Sequence, residues 1–190
     1  MTKMFRNEEA GRSMVEMLGV LAIVGVLSVG GISGYSKAMS KYKVNKTLDQ
    51  ISMLVTNIRT TYGNQNSYKD LSATNLISFE LVDREMHPGG TSKLVNPYNG
   101  TVTVGVTTGS GNISFDVTYK ALPREACASI ASANWGDSAA SGLVSIKIND
   151  NAAHTWTAST LPILFGTAAS ECSKTGSGDD KGNMIVWTYY

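Results

Sequence analysis

The stretch from Met14 to Tyr35, MVEMLGVLAIVGVLSVGGISGY, constrains this chain more than any other. Its 22 residues are almost all apolar or small, and they carry one charge, Glu16. A helix rising about 1.5 Å per residue makes that length a match for a bilayer core of roughly 30 Å. A lone carboxylate in such a run costs about 2.5–3.5 kcal/mol at the bilayer centre, so its presence implies a role and a cationic partner. Gly25, Gly30, Gly31 and Gly34 make the run a poor helix in water, at about 1 kcal/mol each against alanine. In lipid, where backbone groups must pair internally, the same glycines are tolerated and permit close helix approach.

Immediately upstream stands Gly11-Arg12-Ser13-Met14-Val15-Glu16, preceded by a short leader in which Lys3 and Arg6 nearly balance Glu8 and Glu9. With the unbroken apolar run behind it, this signature resembles that of the type IV pilins. The resemblance implies that a prepilin peptidase cuts between Gly11 and Arg12 and methylates the new N-terminus. It also implies that Glu16, fifth in the cleaved chain, meets the N-terminal amine of a neighbouring subunit. The physical reading agrees, since a buried anion and cation neutralise each other better than either alone. Arg12 stands where the family usually has Phe, Met or Leu.

Beyond the long helix lie roughly 130 residues, one domain with room for a core. The net charge of +1 offers no general attraction for nucleic acid. Charged residues make up 16%, against a usual ~25%, and Gly, Ser, Thr and Asn are abundant, a composition of exported β-rich proteins. Cys127 and Cys172 are 45 positions apart, a separation that excludes CxxC redox and zinc-ribbon spacing. In an exported domain the default is one structural disulfide, worth about 4 kcal/mol by chain entropy; two free buried thiols in a reducing compartment are the alternative.

An ordinary secretory signal loses its apolar core, whereas here the plausible cut precedes the run. Lys37, Lys41, Lys43 and Lys46 follow the run while Lys3, Arg6 and Arg12 precede it, so charge counting slightly favours the C-terminal domain inside. The cysteines and the pilin resemblance place that domain outside the cytoplasm.

Val44, Leu48, Ile51, Val55, Ile58 and Tyr62 form one apolar helical stripe, ended by Gly63-Asn64-Gln65-Asn66-Ser67. The expected helix, Met14 to Tyr62, would span roughly 74 Å. Its distal half packs on its own domain; its proximal half needs lipid or a bundle of copies. The division is therefore leader 1–11, membrane and assembly half-helix 12–36, amphipathic half-helix 37–63, connector 64–100 and sheet region 101–190. In the connector, Leu71, Leu76, Ile77, Leu81 and Val82 suggest one short helix, broken at Met86 to Gly90; Asn96 to Gly100 is a turn.

Thr101 to Thr107 alternates as a strand, and Ile113 to Tyr119 returns with Ile113, Phe115, Val117 and Tyr119 on one face. Pro123 opens a helix to about Ala133 that carries Cys127 and Ile130 inward. Leu143–Ile148 and Met184–Tyr189 read as strands, Leu161 to Phe165 as a strand or a helical turn, and 173–183 as a loop.

His87 and His154 sit in unrelated segments, so no metal site is expected. No GxSxG, HExxH or P-loop occurs, and neither an enzyme nor a cofactor is expected. Asp179-Asp180 reads as a solvated loop more readily than a calcium site, and Trp135, Trp156 and Trp187 as packing aromatics. The lysines after the run form an interfacial collar, or pair between subunits with Glu80, Asp83 or Glu85.

The expected fold is α+β: a long N-terminal helix, membrane-spanning in its proximal half, packed against an antiparallel sheet as in the pilin fold. The resemblance implies a structural subunit that waits in the bacterial inner membrane and polymerises into an extracellular pilus after leader cleavage. Glycines replacing a family-typical proline, and the cysteine placement, incline toward the type IVb subclass. Implied partners are copies of the chain, the peptidase and the assembly machinery of the inner membrane. A minor pilin or a type II secretion pseudopilin is the alternative. A monomeric membrane-anchored binding domain or enzyme is the competing class, and it would tolerate Glu16→Ala.

Overall fold

The computed structural model describes residues 9–65, 67–90, 92–136, 141–156, 159–176 and 181–190, with side chains from Met14 onward. Helix α1 runs Glu9–Tyr62, five residues further toward the N-terminus than the apolar run alone predicts. The chain divides into two compact units between Tyr42 and Lys43. Within the second unit the α1 stripe is the expected one. Ile51, Leu54, Val55, Ile58 and Tyr62 are buried, and Val44 and Leu48 are half-buried against them. Ser52, Met53, Thr56 and Thr60 face solvent. This is the 3.6-residue period of an amphipathic helix meeting a core on one side. A 3-10 turn, Gly63–Gln65, closes the helix.

The connector holds α2, Ala73–Ser78, shorter than the apolar residues from Leu71 to Val82 suggest. Ser72 caps it, its Oγ accepting from Asn75 N at 3.2 Å. Glu80 adopts a positive φ of 55° just past Phe79, and that left-handed residue stops the helix. Asn96 organises the following turn: its Oδ1 accepts from Tyr98 N and Gly100 N, and its Nδ2 donates to Lys120 O at 2.7 Å. Gly100 is required there, because a Cβ would lie 2.0 Å from Lys120 O.

Among the described residues six antiparallel strands follow: β1 Leu94–Val95, β2 Thr101–Val106, β3 Phe115–Leu122, β4 Leu143–Ile148, β5 His154–Thr155 and β6 Asn183–Tyr189. Their spatial order is β1-β2-β3-β6-β4-β5, which puts the C-terminal strand in the middle. Both edges are two-residue strands, a short edge that offers little template for unwanted pairing. The β2–β3 hairpin pairs Val102 with Tyr119 and Val106 with Phe115. Ile113, expected to face inward with Phe115, is instead exposed. The turn extends through residue 113 and β3 begins only at Phe115, so Ile113 never enters the pleat.

Inward residues Phe115, Val117, Tyr119, Ile185, Trp187 and Tyr189 join the α1 stripe in one core. Tyr119 meets Trp187 edge-on at 5.8 Å, and Trp135 meets Trp187 at 5.2 Å. Helix α3 spans Arg124–Ala131. The ambiguous 161–165 stretch is the approach to a further helix, α4, Phe165–Glu171. Small residues (Gly166, Thr167, Ala168, Ala169, Ser170) gave no apolar periodicity by which to foresee it. Cys127 of α3 and Cys172 at the end of α4 form a disulfide, Cα atoms 5.9 Å apart.

Candidate assembly surface

Helix α1 between Met14 and Tyr35 presents its apolar side chains outward all round. Val15, Val26 and Ile32 are 70%, 75% and 67% exposed, and the other large apolar residues of the run are similar. A water-soluble protein rarely shows contiguous apolar surface beyond a few hundred Å². Two hydroxyls on this part of the helix are satisfied by its own backbone: Ser28, within the run, and Ser36, just past it, donate back to Val24 O at 2.7 Å and Ile32 O at 3.0 Å. A hydroxyl bonded to the carbonyl one turn earlier is satisfied without water, as a lipid or protein-packed environment requires.

Glu16 lies exposed on this helix. Among the described residues, no cation stands within ion-pair distance of it. The backbone continues in helix through Gly30, Gly31 and Gly34 without a break. A Cβ placed on any of these, or on Gly19 and Gly25, would meet nothing within 4 Å, so each glycine position is open. Gly11 and Arg12 lie in the helical backbone of the first turn, while their side chains lie outside the described residues. Asp179 and Asp180 lie outside them as well.

The second unit is anchored by groups that no local motif announces. Asn183 is fully buried and sits at the junction of β3, β6 and the segment after the disulfide. Its Nδ2 donates to Leu122 O at 3.1 Å and Lys174 O at 2.8 Å; its Oδ1 accepts from Lys174 N and Asn149 Nδ2. Asn149 also donates to Glu171 O at 2.8 Å and accepts from Met184 N at 2.9 Å. Together they complete what the disulfide begins, tying the C-terminal segment to the sheet. Asn within a loop-like run carries no burial signal, so only the fold reveals this clamp.

His154 and Glu171, from β5 and α4, meet at 2.9 Å although 17 positions separate them. Among the described residues, no three His, Cys, Asp or Glu side chains gather as a metal site would need. Lys46 pairs with Glu85 of its own chain, whose carboxylate the 3-10 turn at Arg84–Met86 brings against the distal part of α1. Burial raises the phenol pKa of Tyr98 to about 12, with Glu125 adding to the shift. Burial also raises those of Tyr119 and Tyr189, the latter opposed by Arg59.

The profile of the bundlin family matches residues 36–190. Two relatives, each named the major structural subunit of bundle-forming pilus, come from Escherichia coli O111:H- and from Escherichia coli O127:H6 (strain E2348/69 / EPEC). Each is 26% identical over 171 residues, covering 90% of this chain and 83% of the relative. Among solved structures, a type IV b pilin from Salmonella typhi aligns with a TM-score of 0.52 at 24% identity, over 76% of this chain and 98% of that one. TcpA, a type IV pilin from Vibrio cholerae El Tor, aligns with a TM-score of 0.51 at 12% identity, over 78% and 99%. The likeness of these two structures is one of fold.

Proposed function

The chain belongs to the bundlin family, and from that premise we propose that it is a type IV pilin of the IVb kind and how it is built into a pilus. It is a structural subunit, and the naming of its relatives as major subunits favours the bulk of the fibre over a minor or priming role. The observation that carries the assembly mechanism is the exposed apolar surface of Met14–Tyr35 in the first unit, while the second unit buries a core of its own. That surface has two acceptable environments, a bilayer and a bundle of identical helices.

The subunit first sits in the inner membrane through this helix, with the disulfide-bearing unit outside the cytoplasm, the side on which a disulfide persists. The prepilin peptidase removes the leader between Gly11 and Arg12. The new amine of Arg12 in one copy then neutralises Glu16 of another, and the assembly machinery moves apolar area from lipid to protein. Lipid and protein interiors are alike in polarity, so packing and this charge pair decide the transfer. Open glycine faces let the helix backbones approach closely.

Glu16→Gln tests this. The variant is expected to accumulate, to be cut after Gly11 by N-terminal sequencing, and to give no sheared fibres under electron microscopy. Normal fibres from it would refute the charge pairing.

A further inference from the structure

We propose that the exposed Phe79-Glu80 tip of one copy docks in the Arg59 cleft of the next, a contact that repeats from subunit to subunit. It rests on the pilus reading above, which supplies the neighbouring copies, and it adds a contact made by the second unit to the bundling of the apolar helices.

The cleft holds about 720 Å³ between the distal part of α1, the segment after α3 and the end of β6. Sites that take a drug-sized group have roughly 300–1,000 Å³, so a ring and a carboxylate fit together. Arg59 lines it with Tyr68, Trp135, Tyr189 and Tyr190, and none of the described lining residues is acidic. Arg59 Nη1 donates to Ser141 O at 2.6 Å, and Gly142 leaves room for the guanidinium, since a Cβ there would lie 2.8 Å from Cζ. A carbonyl orients that cation without neutralising it, and among the described residues no carboxylate pairs with it. Its charge is felt at both buried phenols: burial raises the pKa of Tyr68 and of Tyr189, and Arg59 opposes each rise. Arginine, tryptophan and tyrosine are the residues that anchor protein interfaces, which points to a protein segment as the occupant.

The chain carries a segment of matching chemistry. Phe79 is 64% exposed, and Glu80 beside it is exposed too. Among the described residues Glu80 makes no ion pair, whereas Glu85 is held by Lys46 and Asp83 accepts from Glu85 N. The tip is fixed by its backbone. Glu80 N donates to Ile77 O at 3.0 Å and Leu81 N to Leu76 O at 2.9 Å, the pair of bonds that closes a helix on a left-handed residue. Glycine is the usual residue there, and Glu80 holds a φ of 55°. A carboxylate kept at a glycine position, next to an uncovered ring, favours a use for that side chain.

Tip and cleft lie on opposite sides of α1, so one copy does not fill its own cleft. Asn57 Nδ2 donates to Leu81 O at 2.7 Å, which puts the tip on the Asn57 side. Arg59 follows two residues later, about 200° around the helix axis. Complementary patches on opposite sides of one unit make a heterologous contact, which propagates along an open fibre. Glu80 supplies the carboxylate that Arg59 lacks, and Phe79 enters among the aromatic rings.

The test uses the full chain in cells that assemble it, with sheared fibres as the readout. Glu80→Lys, an exposed change, should lower fibre yield at least about tenfold, because it sets two cations together in every contact. Arg59→Glu should do the same, and the two together should restore fibres. Thr56 lines the cleft, so Glu80→Cys with Thr56→Cys, oxidised by copper phenanthroline, should give a ladder of multimers on non-reducing gels. Neither single cysteine variant should give one.

Full yield from Glu80→Lys, or fibres of the cysteine pair without a ladder, would overturn the contact. Fibres lost in Arg59→Glu but normal in Glu80→Lys would overturn it as well, and would assign the cleft to a different acidic partner. So would losses that the double swap does not restore; if Arg59→Glu is degraded, the ladder decides. Absence of fibres even from the wild type would overturn the pilus reading and this contact together, an outcome distinct from all of these.

Discussion

At the scale of single residues, the same rule governs Glu16, Asn183 and Tyr98: a polar group away from water needs a partner. Glu16 finds none among the described residues, and on the assembly mechanism proposed above its partner belongs to another copy. Asn183 makes four hydrogen bonds to three residues of the chain. Asn183→Ala should therefore destabilise the unit by about 3 kcal/mol, the cost of stranding buried backbone groups. A lower urea midpoint would register it. Tyr98 adds a pH dependence. Its pKa is raised from 10.0 to about 12, chiefly by burial, so the folded state holds the phenolic proton more tightly than the unfolded chain. Its stabilising contribution is whole below the unfolded pKa and is lost as pH rises through the folded one. The urea midpoint should fall above about pH 10, and Tyr98→Phe should make the fall shallower.

At the scale of elements, α1 contains two kinds of surface on one continuous helix. From Lys43 onward its apolar residues, Met53 apart, fall on one face and are covered; from Met14 to Tyr35 they cover every face and remain open. The glycines of the second kind set the helix's stiffness. Gly30→Ala with Gly31→Ala should strengthen the helix by about 1 kcal/mol per site. If close approach or bending there matters to polymerisation, membrane levels will be unchanged while sheared-fibre yield falls. The α3–α4 pair depends on a different device. Its disulfide closes a loop of sequence separation 45, and Cys127→Ser with Cys172→Ser should cost about 4 kcal/mol in a denaturation curve. The Asn149–Asn183 clamp does not depend on the sulfurs, so α4 is expected to stay docked in the surviving folded fraction.

At the scale of the whole molecule, the two compact units have different requirements for stability. The second closes its own core with the sheet, α3, α4 and the distal part of α1. Residues 43–190 alone are expected to be soluble, monomeric and disulfide-bonded by size-exclusion chromatography and thiol titration. The full chain should be recovered only with detergent or as fibre. A full chain that ran as a monomer in plain buffer would contradict the reading of the 14–35 surface.

The membrane-length run, its solitary acid, the distal stripe and the β2–β3 hairpin were all legible in the chain itself. Each is a local matter of length or period, and a window of ten to twenty residues contains the whole signal. The pairing of Cys127 with Cys172 was legible because there were only two cysteines. Tertiary structure alone decided the rest. Asn149 meets Asn183 across 34 positions, and Lys46 meets Glu85 across 39. Helix α4 forms from small residues without a hydrophobic period, held by its disulfide and the clamp beside it. Ile113 faces outward because a turn ran two residues longer than alternation implied. Such contacts depend on which distant surfaces folding brings together, and no local pattern of side chains encodes that.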